Sequence, residues 1–263
     1  TLKVGRAGNG VILSGFCLWP KPYRTSGFEI VDQGKDTLID NVSAAFVYNF
    51  LKFGAGANGS TARRVRAVAV HGPHAILIQG GSTALADWAQ GIVIENYGFY
   101  TPWQVAEATY ALVKGNWAAA TAYSAGQIVF CAGFVLQCVV AGTSGAAAPA
   151  IPAFAFAGAV TSTNIVDGTA EWRLIMHQYT SGLTLDSNSA CVTLDKAQIN
   201  SAVTGVLLNN TLGGIAPQSV KIVNSLIDHS VRDCIQGNFG MEVTVENTDL
   251  HWSAVGRGAT LGS

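Results

Sequence analysis

Residues 220–233 read VKIVNSLIDHSVRD, and three other stretches of the chain repeat their pattern. The matching stretches are VTVENTDLHWSAVG from Val243, VTLDKAQINSAVTG from Val192 and IVIENYGFYT from Ile92. Each has apolar residues at its first and third positions, then a polar turn, then another apolar residue seven places after the first. Alternating apolar positions without a sustained helical period indicate short strands joined by tight turns.

Looser copies of the pattern come earlier: VILSGFCL from Val11, TLIDNVSA from Thr37 and RRVRAVAVHGPHAILIQG over 63–80. The last of these is aligned by its ending, where Ile78-Gln79-Gly80 matches Ile235-Gln236-Gly237. Consecutive copies begin about 23 to 28 residues apart, a period typical of a β-solenoid whose coils bury their apolar faces against one another. The sequence therefore predicts an all-β fold, a right-handed parallel β-helix in the form of a single-stranded solenoid.

One column of the repeat is rich in asparagine: Asn41, Asn96, Asn224 and Asn247 all fall just after the first strand of their coil, and Lys196 takes this place in another. Asparagine tolerates the left-handed backbone that a tight turn requires, and stacked asparagines can hydrogen-bond along a solenoid. We interpret this column as structural. Glu95 and Glu246 share the neighbouring column, where a turn-capping role is expected.

The repeat is interrupted between Ile92 and Val192 by far more residues than one coil needs. Residues 116–175 differ in composition, being rich in Ala, Gly, Thr and Pro, and GQIVFCAGFVLQCVV within them predicts a hairpin that turns at Ala132-Gly133. We divide the chain into β-helix coils over 1–115, an inserted β module over 116–175, and further coils over 176–263. Short helices are expected from Gln104 and from Ser82.

The insert resembles the small carbohydrate-binding-like modules, related to chitin-binding domains, of bacteriophage tail proteins. The resemblance lies in Trp117, AYSAGQIVF, TSG with Pro149, and DGTAEWRLI. Its aromatic side chains can stack on sugars or form the core of the module. They are Trp117, Tyr123, Phe130 and Trp172.

An interrupted parallel β-helix resembles the receptor-binding part of phage tailspikes. The resemblance implies a homotrimer on the virion tail, bound to other phage tail proteins, that recognises bacterial surface polysaccharide (lipopolysaccharide O-antigen or capsule) and often cuts it as an endoglycosidase. It implies no catalytic residue by motif, because the family has no short diagnostic sequence.

The composition of the chain limits the classes of partner that it is expected to bind. Charged residues make up 12% of the chain and the net charge is −1, so nothing indicates binding to nucleic acid or to an anionic membrane surface. Apolar runs are too short to cross a bilayer, which predicts a soluble chain without membrane insertion. The five cysteines lack ligand spacing with histidine, so we expect core residues, no metal site and no cofactor.

Glycoside hydrolysis requires two carboxyl groups at a defined separation, and acidic residues are concentrated late in the chain. The predicted catalytic residues are Asp228, Asp233 and Asp249. Aligning the last two coils places Asp228 beside His251 and His229 beside Trp252, with His71 and Tyr100 in the Asp228 column. We expect these His, Trp and Tyr side chains to bind the sugar.

Three alternatives stay open at this point. The chain could bind a glycan without cutting it, or serve as a structural spacer. It could also be a calcium-dependent polysaccharide lyase of the same fold, with Arg232 near Asp228 and Asp233 as a candidate base.

Overall fold

The computed structural model describes residues 1–19, 26–101, 113–151, 164–238, 241–253 and 259–261. This part of the chain is all-β, and most of its strands pair in parallel. In chain order the strands are β1 (Leu2–Val4), β2 (Ile12–Leu18), β3 (Ile30–Asp32), β4 (Leu38–Ala45), β5 (Leu51–Phe53), β6 (Thr61–Arg63), β7 (Arg66–Val68), β8 (His74–Ile78), β9 (Ala89–Gln90), β10 (Val93–Glu95), β11 (Gly98–Tyr100), β12 (Val113–Asn116), β13 (Ala122–Tyr123), β14 (Ile128–Cys131), β15 (Phe134–Val140), β16 (Gly142–Thr143), β17 (Ile165–Asp167), β18 (Ala170–His177), β19 (Ser181–Leu185), β20 (Ser189–Asp195), β21 (Gln198–Asn200), β22 (Thr204–Leu208), β23 (Gln218–Val223), β24 (Leu226–Ser230), β25 (Asp233–Gly237), β26 (Met241–Glu246), β27 (Asp249–Ser253) and β28 (Ala259–Leu261).

Two parallel sheets contain most of these strands. Sheet 1 has the order β1-β3-β5-β8-β19-β22-β25-β28. Sheet 2 divides at the long strand β4 into two arms, and β2 pairs with β4 along both. The first arm continues through β6, β10, β20, β23 and β26, with β9 beside β20, and the second arm through β7, β11, β21, β24 and β27.

The chain visits these surfaces in a fixed order. It passes from β5 in sheet 1 to β6 in the first arm, to β7 in the second arm, and back to sheet 1 at β8. The same cycle recurs from β19 to β22 and from β22 to β25. Each repeat thus adds one strand to each surface and pairs with the repeats on either side.

The strand register confirms where the repeats begin. Val192 pairs with Val220, which pairs with Val243. Pairing of Val93 with Thr193 puts Ile92 in the same row. The partners Ile12 and Leu38 likewise align the starts of the two earliest copies.

The asparagine column marks the corner between the two arms, as predicted. Asn41, Asn96, Asn224 and Asn247 have φ angles of 52°, 52°, 51° and 47°, and Lys196 at this corner has 52°. The amide of Asn247 donates to Asn224 Oδ1 at 2.8 Å, and the amide of Asn224 donates to Asp195 Oδ1 at 2.8 Å.

The predicted alignment of Ile78 with Ile235 is wrong by two residues. Ile235 aligns with Ile76 through Leu183 and Val206, and Gly237 aligns with Ile78. A two-residue shift keeps every side chain on the same face of a strand, so apolar alternation alone does not distinguish the two registers.

The largest apolar cluster lies between sheet 1 and the two arms. Its fully buried aromatic residues include Phe50, Phe53, Phe99 and Tyr97, and the Tyr97 hydroxyl donates to the carbonyl of Gly182 at 2.8 Å. Burial of one such side chain stabilises the fold by about 2 to 3 kcal/mol.

Residues 113–151 and 164–177 build a separate sheet with the order β12-β14-β15-β18-β17, together with the two-stranded pair β13 and β16. The predicted hairpin is confirmed, because β14 and β15 are antiparallel and turn at Ala132 (φ 49°) and Gly133 (φ 89°). Two successive left-handed residues are typical of the type I′ turn favoured in hairpins. The insert leaves the parallel sheets between β11 and β19.

The helix predicted from Ser82 is reduced to one 3₁₀ turn at Leu85–Asp87. Ser82 does not cap this turn, whose N-cap is Ala84 without a side-chain cap hydrogen bond; the Ser82 hydroxyl accepts from the Ala84 amide and donates to Asp87. The residues that follow join sheet 2 as β9, which ends the turn. The helix expected from Gln104 falls largely on 102–112, outside the described residues.

Burial also corrects one expectation about the cysteines: Cys131, Cys138 and Cys234 are buried, whereas Cys17 and Cys191 are exposed. Within the described ranges, no helix is long and apolar enough to span a membrane.

Candidate functional site

The second arm of sheet 2 presents a row of polar side chains to solvent. Tyr100, Asn200, Asp228 and His251 occupy one register position on β11, β21, β24 and β27. The residue before Asp228 is Ile227, which is fully buried, so strand alternation places Asp228 on the outer face. This part of the predicted stripe is confirmed by the pairing.

The side chain of Asp228 contacts that of the histidine that follows it in the sequence. Its Oδ1 lies 2.7 Å from Nδ1 of His229, and the side chains of Asp228 and His229 are 15% and 26% exposed. His229 has a left-handed backbone (φ 54°) at the corner that ends the second arm. Asp228 Oδ1 is buried and makes no hydrogen bond with the described residues, whereas part of the Asp228 side chain is accessible.

Asp249 is exposed on the neighbouring strand β27, opposite Leu226. It is therefore diagonal to Asp228, one strand across and two residues along. Strand spacing and rise put the two Cα atoms about 8 Å apart. Asp249 also borders a shallow hollow of about 500 Å³. The other lining residues are Lys196, Ala197, Gln198, Asn224, Ser225, Leu226 and Asn247.

The predicted sugar-binding residues of this arm lie around that diagonal. His251 is exposed and pairs directly with Asp228. Tyr100 is half-buried, and its hydroxyl donates to Gln198 Oε1 at 2.7 Å. Trp252 aligns with His229 on the strand, and its side chain is outside the described residues.

Asp233 does not belong to this surface. It is 7% exposed and opens β25 in sheet 1, opposite Thr204. The corner formed by Val231 and Arg232 separates it from β24, so sequence proximity to Asp228 does not place the two carboxylates on one face. Burial makes Asp233 a poor candidate for contact with a polymer.

His71 is also excluded from the stripe. Val68 takes its place in the register opposite Tyr100, and His71 is 6% exposed beside Phe46, with ring centroids 6.5 Å apart. Burial lowers the pKa of His71 to about 4. The two-residue shift described above explains two of the three residues by which His71 was misplaced. The third arises because Val68 precedes Ile76 by eight residues, whereas Asp228 precedes Ile235 by seven, so the earlier repeat has one more residue at this corner.

The acidic column beside the asparagines forms ion pairs. Lys196 Nζ lies 3.5 Å from Glu95 and 3.3 Å from Asp195, and Lys221 Nζ lies 3.3 Å from Glu246. The contacts of Lys196 with Glu95 and of Lys221 with Glu246 link adjacent repeats, which gives the column a structural role. They leave Asp228 and Asp249 as the accessible carboxylate pair of this region.

The aromatic residues of the insert form its core. Trp172 is fully buried and Tyr123 is 7% exposed, with their rings 4.9 Å apart. The indoles of Trp117 and Trp172 both donate to Asp167 Oδ2, at 2.8 and 2.9 Å. Phe130 is half-buried against the parallel sheets. Trp172 and Tyr123 are thus unavailable for stacking on a sugar.

A polar network on the outer face of sheet 1 was missed from the sequence. Lys52 Nζ donates to Gln79 Oε1 at 2.8 Å, and Gln79 Nε2 donates to Asp186 Oδ2 at 2.9 Å. The Thr211 amide donates to Asp186 Oδ1 at 2.7 Å. Alternation within LKF (51–53) marks Lys52 as outward-facing, but its partners are too far along the chain for sequence spacing to bring them together. Because the acceptors of Asp186 are satisfied within the protein, we interpret the network as structural.

No group of three or more His, Cys, Asp or Glu side chains in the described ranges could hold a metal ion. Comparison with protein-family models, with curated proteins and with solved structures finds no match to this chain.

Proposed function

We propose that the two parallel sheets are the faces of a right-handed parallel β-helix. The support is the fixed cycle from sheet 1 through both arms, with parallel pairing at every step between repeats. Connections between parallel strands of one sheet are right-handed in about 98% of cases. Such a solenoid offers a long, flat outer face on which an extended polymer can lie.

We propose that the second arm binds a bacterial surface polysaccharide and hydrolyses it as an endoglycosidase. The observation that carries this proposal is the diagonal of Asp228 and Asp249 on adjacent strands, flanked by His251 and Tyr100. Carboxyl groups about 6.5 to 9.5 Å apart leave room for a water molecule, as inverting hydrolysis requires. The Cα atoms of Asp228 and Asp249 are about 8 Å apart, so rotation of the side chains can bring their carboxyl groups within this range.

In this mechanism Asp228 is the general acid and Asp249 the general base. Asp228 donates its proton to the glycosidic oxygen as the bond to the leaving sugar breaks. Asp249, the more exposed of the two, takes a proton from the water that attacks the opposite face of the ring. His229 orients Asp228, and His251 and Tyr100 hydrogen-bond to or stack on the sugar.

The interruption of the repeat by a small β module supports a place for the chain in a phage tailspike. On this proposal it acts on the virion tail as a homotrimer with other tail proteins, and its ligand is O-antigen or capsule. The net charge of −1 suits a neutral or locally charged polymer.

The test is release of reducing ends from a panel of purified O-antigens and capsular polysaccharides. Asp228→Asn and Asp249→Asn should each lower the cleavage rate about 10² to 10⁴-fold while leaving polymer binding intact. Asp36→Asn is the matched control, because Asp36 is an exposed carboxylate at another corner of the fold. This variant should cleave the polymer at the wild-type rate.

Equal cleavage by the wild type and both Asn variants would exclude the Asp228–Asp249 pair. Binding without product would favour a non-hydrolytic receptor-binding module. An unsaturated product would indicate a lyase. If the protein neither bound nor cleaved any polymer of the panel, the result would favour a structural spacer.

A further inference from the structure

A second concavity lies where the insert meets the parallel sheets. It encloses about 370 Å³, within the range of small-molecule sites. Four distant segments line it: Gly115 and Asn116 of β12, Phe130 of β14, Gln178 and Tyr179 after β18, and Arg232 between β24 and β25. We call it the junction cleft.

The walls of the junction cleft are fixed by backbone hydrogen bonds. The Gln178 amide donates to the carbonyl of Gly133 at 2.9 Å, and the Arg232 amide donates to the carbonyl of Val203 at 2.8 Å. Beneath the cleft, apolar residues of the insert pack with those of the corners that precede sheet 1. They are Ile128, Val135, Ile175, Met176, Val203 and Val231. The cleft is therefore formed before any ligand binds.

Within the part of the chain that the structure describes, the polar side chains of the cleft have no hydrogen-bond or ion-pair partner. No described residue hydrogen-bonds to the side chain of Asn116, Gln178 or Arg232, and no described carboxylate forms an ion pair with Arg232. Two amides and a guanidinium gathered around one concavity can donate to several oxygens at once. Such a set suits a ligand rich in hydroxyl and carboxylate oxygens.

An aromatic ring completes the set. Tyr179 is 54% exposed, and its backbone amide donates to Nδ1 of His177 at 3.2 Å while the two rings lie 5.5 Å apart. A held, exposed ring offers a flat apolar face to the C–H side of a sugar. Phe130 adds a second, half-buried ring to the lining.

The charge of the junction cleft favours acidic saccharides over neutral ones. Arg232 is the one charged residue among the described residues that line the cleft, and a guanidinium binds a carboxylate in a bidentate geometry. Asp228 and Asp233 lie on either side of the same corner, so the attraction for an anion is local and salt-sensitive. Asp228 Oδ1 lies 2.7 Å from His229 Nδ1 and is not paired with Arg232.

We propose that the junction cleft binds the carboxylate-bearing residue of an acidic saccharide. Arg232 takes the carboxylate, the amides of Asn116 and Gln178 take hydroxyl groups, and the ring of Tyr179 stacks on the sugar. The proposal is independent of hydrolysis by Asp228 and Asp249. The cleft would hold a polymer at the insert whether or not the second arm cuts it.

The test is calorimetric titration of the whole chain with a galacturonic acid trimer, with a galactose trimer as the neutral probe and with inorganic phosphate. The galacturonate trimer should bind at least about tenfold more tightly than either other probe, because one charge-assisted contact contributes about 1.5 to 3 kcal/mol. Arg232→Gln should remove this preference, and Arg232→Lys should recover only part of it. Tyr179→Ala should weaken binding of the galacturonate trimer about tenfold.

Two controls keep this test separate from the proposed hydrolysis. Arg66→Gln removes another exposed arginine, on the second arm, and should leave binding unchanged. The Asp228→Asn, Asp249→Asn double variant should also retain it. Loss of binding in either control, equal binding of the neutral trimer or of phosphate, or wild-type affinity in a folded Arg232→Gln protein would overturn the proposal.

Discussion

Left-handed residues turn this chain from one surface to the next. Besides the asparagine column, a second stack precedes the first arm and a third follows the second arm. The second consists of Gly10, Asp36, Gly59, Gly91, Cys191, Ser219 and Glu242, and the third includes Phe46, Ala69, Ser201 and His229. A left-handed residue other than glycine costs roughly 1 to 2 kcal/mol, so each is maintained by the pairing on either side.

The hairpin of the insert has the same requirement at an accessible site. Ala132 is exposed with φ 49°, in a turn position where asparagine is preferred. Ala132→Asn should therefore raise the free energy of unfolding of the insert by about 1 kcal/mol. Urea unfolding measures the change.

The matched control for this turn is Ala122→Asn, at an exposed strand position of the same insert. Asparagine is unfavourable in strands, so this variant should show no gain. A gain in both variants, or in neither, contradicts the assigned role of the left-handed turn.

Residue-level prediction from sequence was accurate where two signals agreed. Alternating apolar residues and the asparagine turn together placed Val220 and Val243 in one row, and the pairing confirms it. His71 was misplaced because its repeat lacks the asparagine and was aligned by its ending, Ile78-Gln79-Gly80. Burial of its ring is decided by Phe46 and other residues that sequence spacing does not reveal.

At the scale of elements, the insert is organised around one carboxylate. Asp167 is 4% exposed and accepts hydrogen bonds from two indoles and, at 2.8 Å, from the Gly145 amide. It thereby joins β17, β18, the start of the module at Trp117 and the loop after β16. The aromatic residues that resemble a sugar platform in sequence are instead fixed as core by this carboxylate.

Asp167→Ala should lower the free energy of unfolding by about 3 kcal/mol, because one buried donor and two partly buried donors lose their acceptor. Asp167→Asn keeps one acceptor oxygen and should cost less. Hydrogen exchange is the measurement, and it should accelerate across 113–177 while β22 and β25 stay protected.

Val166→Thr is the neighbouring control, since Val166 is 69% exposed and contributes little burial. It should exchange like the wild type. Uniform acceleration throughout the chain in Asp167→Ala would mean that the insert and the parallel sheets unfold as one unit.

Across the whole molecule, local sequence patterns predict the strands and the hairpin but not the junction between the insert and the parallel sheets. Each strand is predicted by its own alternation of apolar and polar residues, and the hairpin is predicted by its Ala-Gly turn. The junction cleft instead combines segments such as Asn116, Tyr179 and Arg232 that are tens of residues apart and share no motif. Only the packing of Val203 and Val231 on the insert brings them together.

Buried histidines give the whole molecule a pH-dependent stability. Burial lowers the pKa values of His71 and His74 to about 4, while an unfolded histidine titrates near 6.5. Between these values the unfolded chain binds protons that the folded chain does not, so stability falls as pH decreases through this window. For Asp186, burial raises the pKa, but hydrogen bonds from Thr211 and Ser187 outweigh it and lower the pKa overall, which extends the loss to more acidic pH.

The free energy of unfolding should accordingly fall by about 2 kcal/mol per buried histidine between pH 7 and pH 5. Urea unfolding at the two pH values measures this, with His71→Leu removing the share of one histidine and flattening the dependence. His251→Gln serves as the exposed counterpart and should follow the wild type, because His251 lies on the surface. If His71→Leu kept the full slope, His71 would be charged in the folded state, and the burial that removes it from the Asp228 row would be in error.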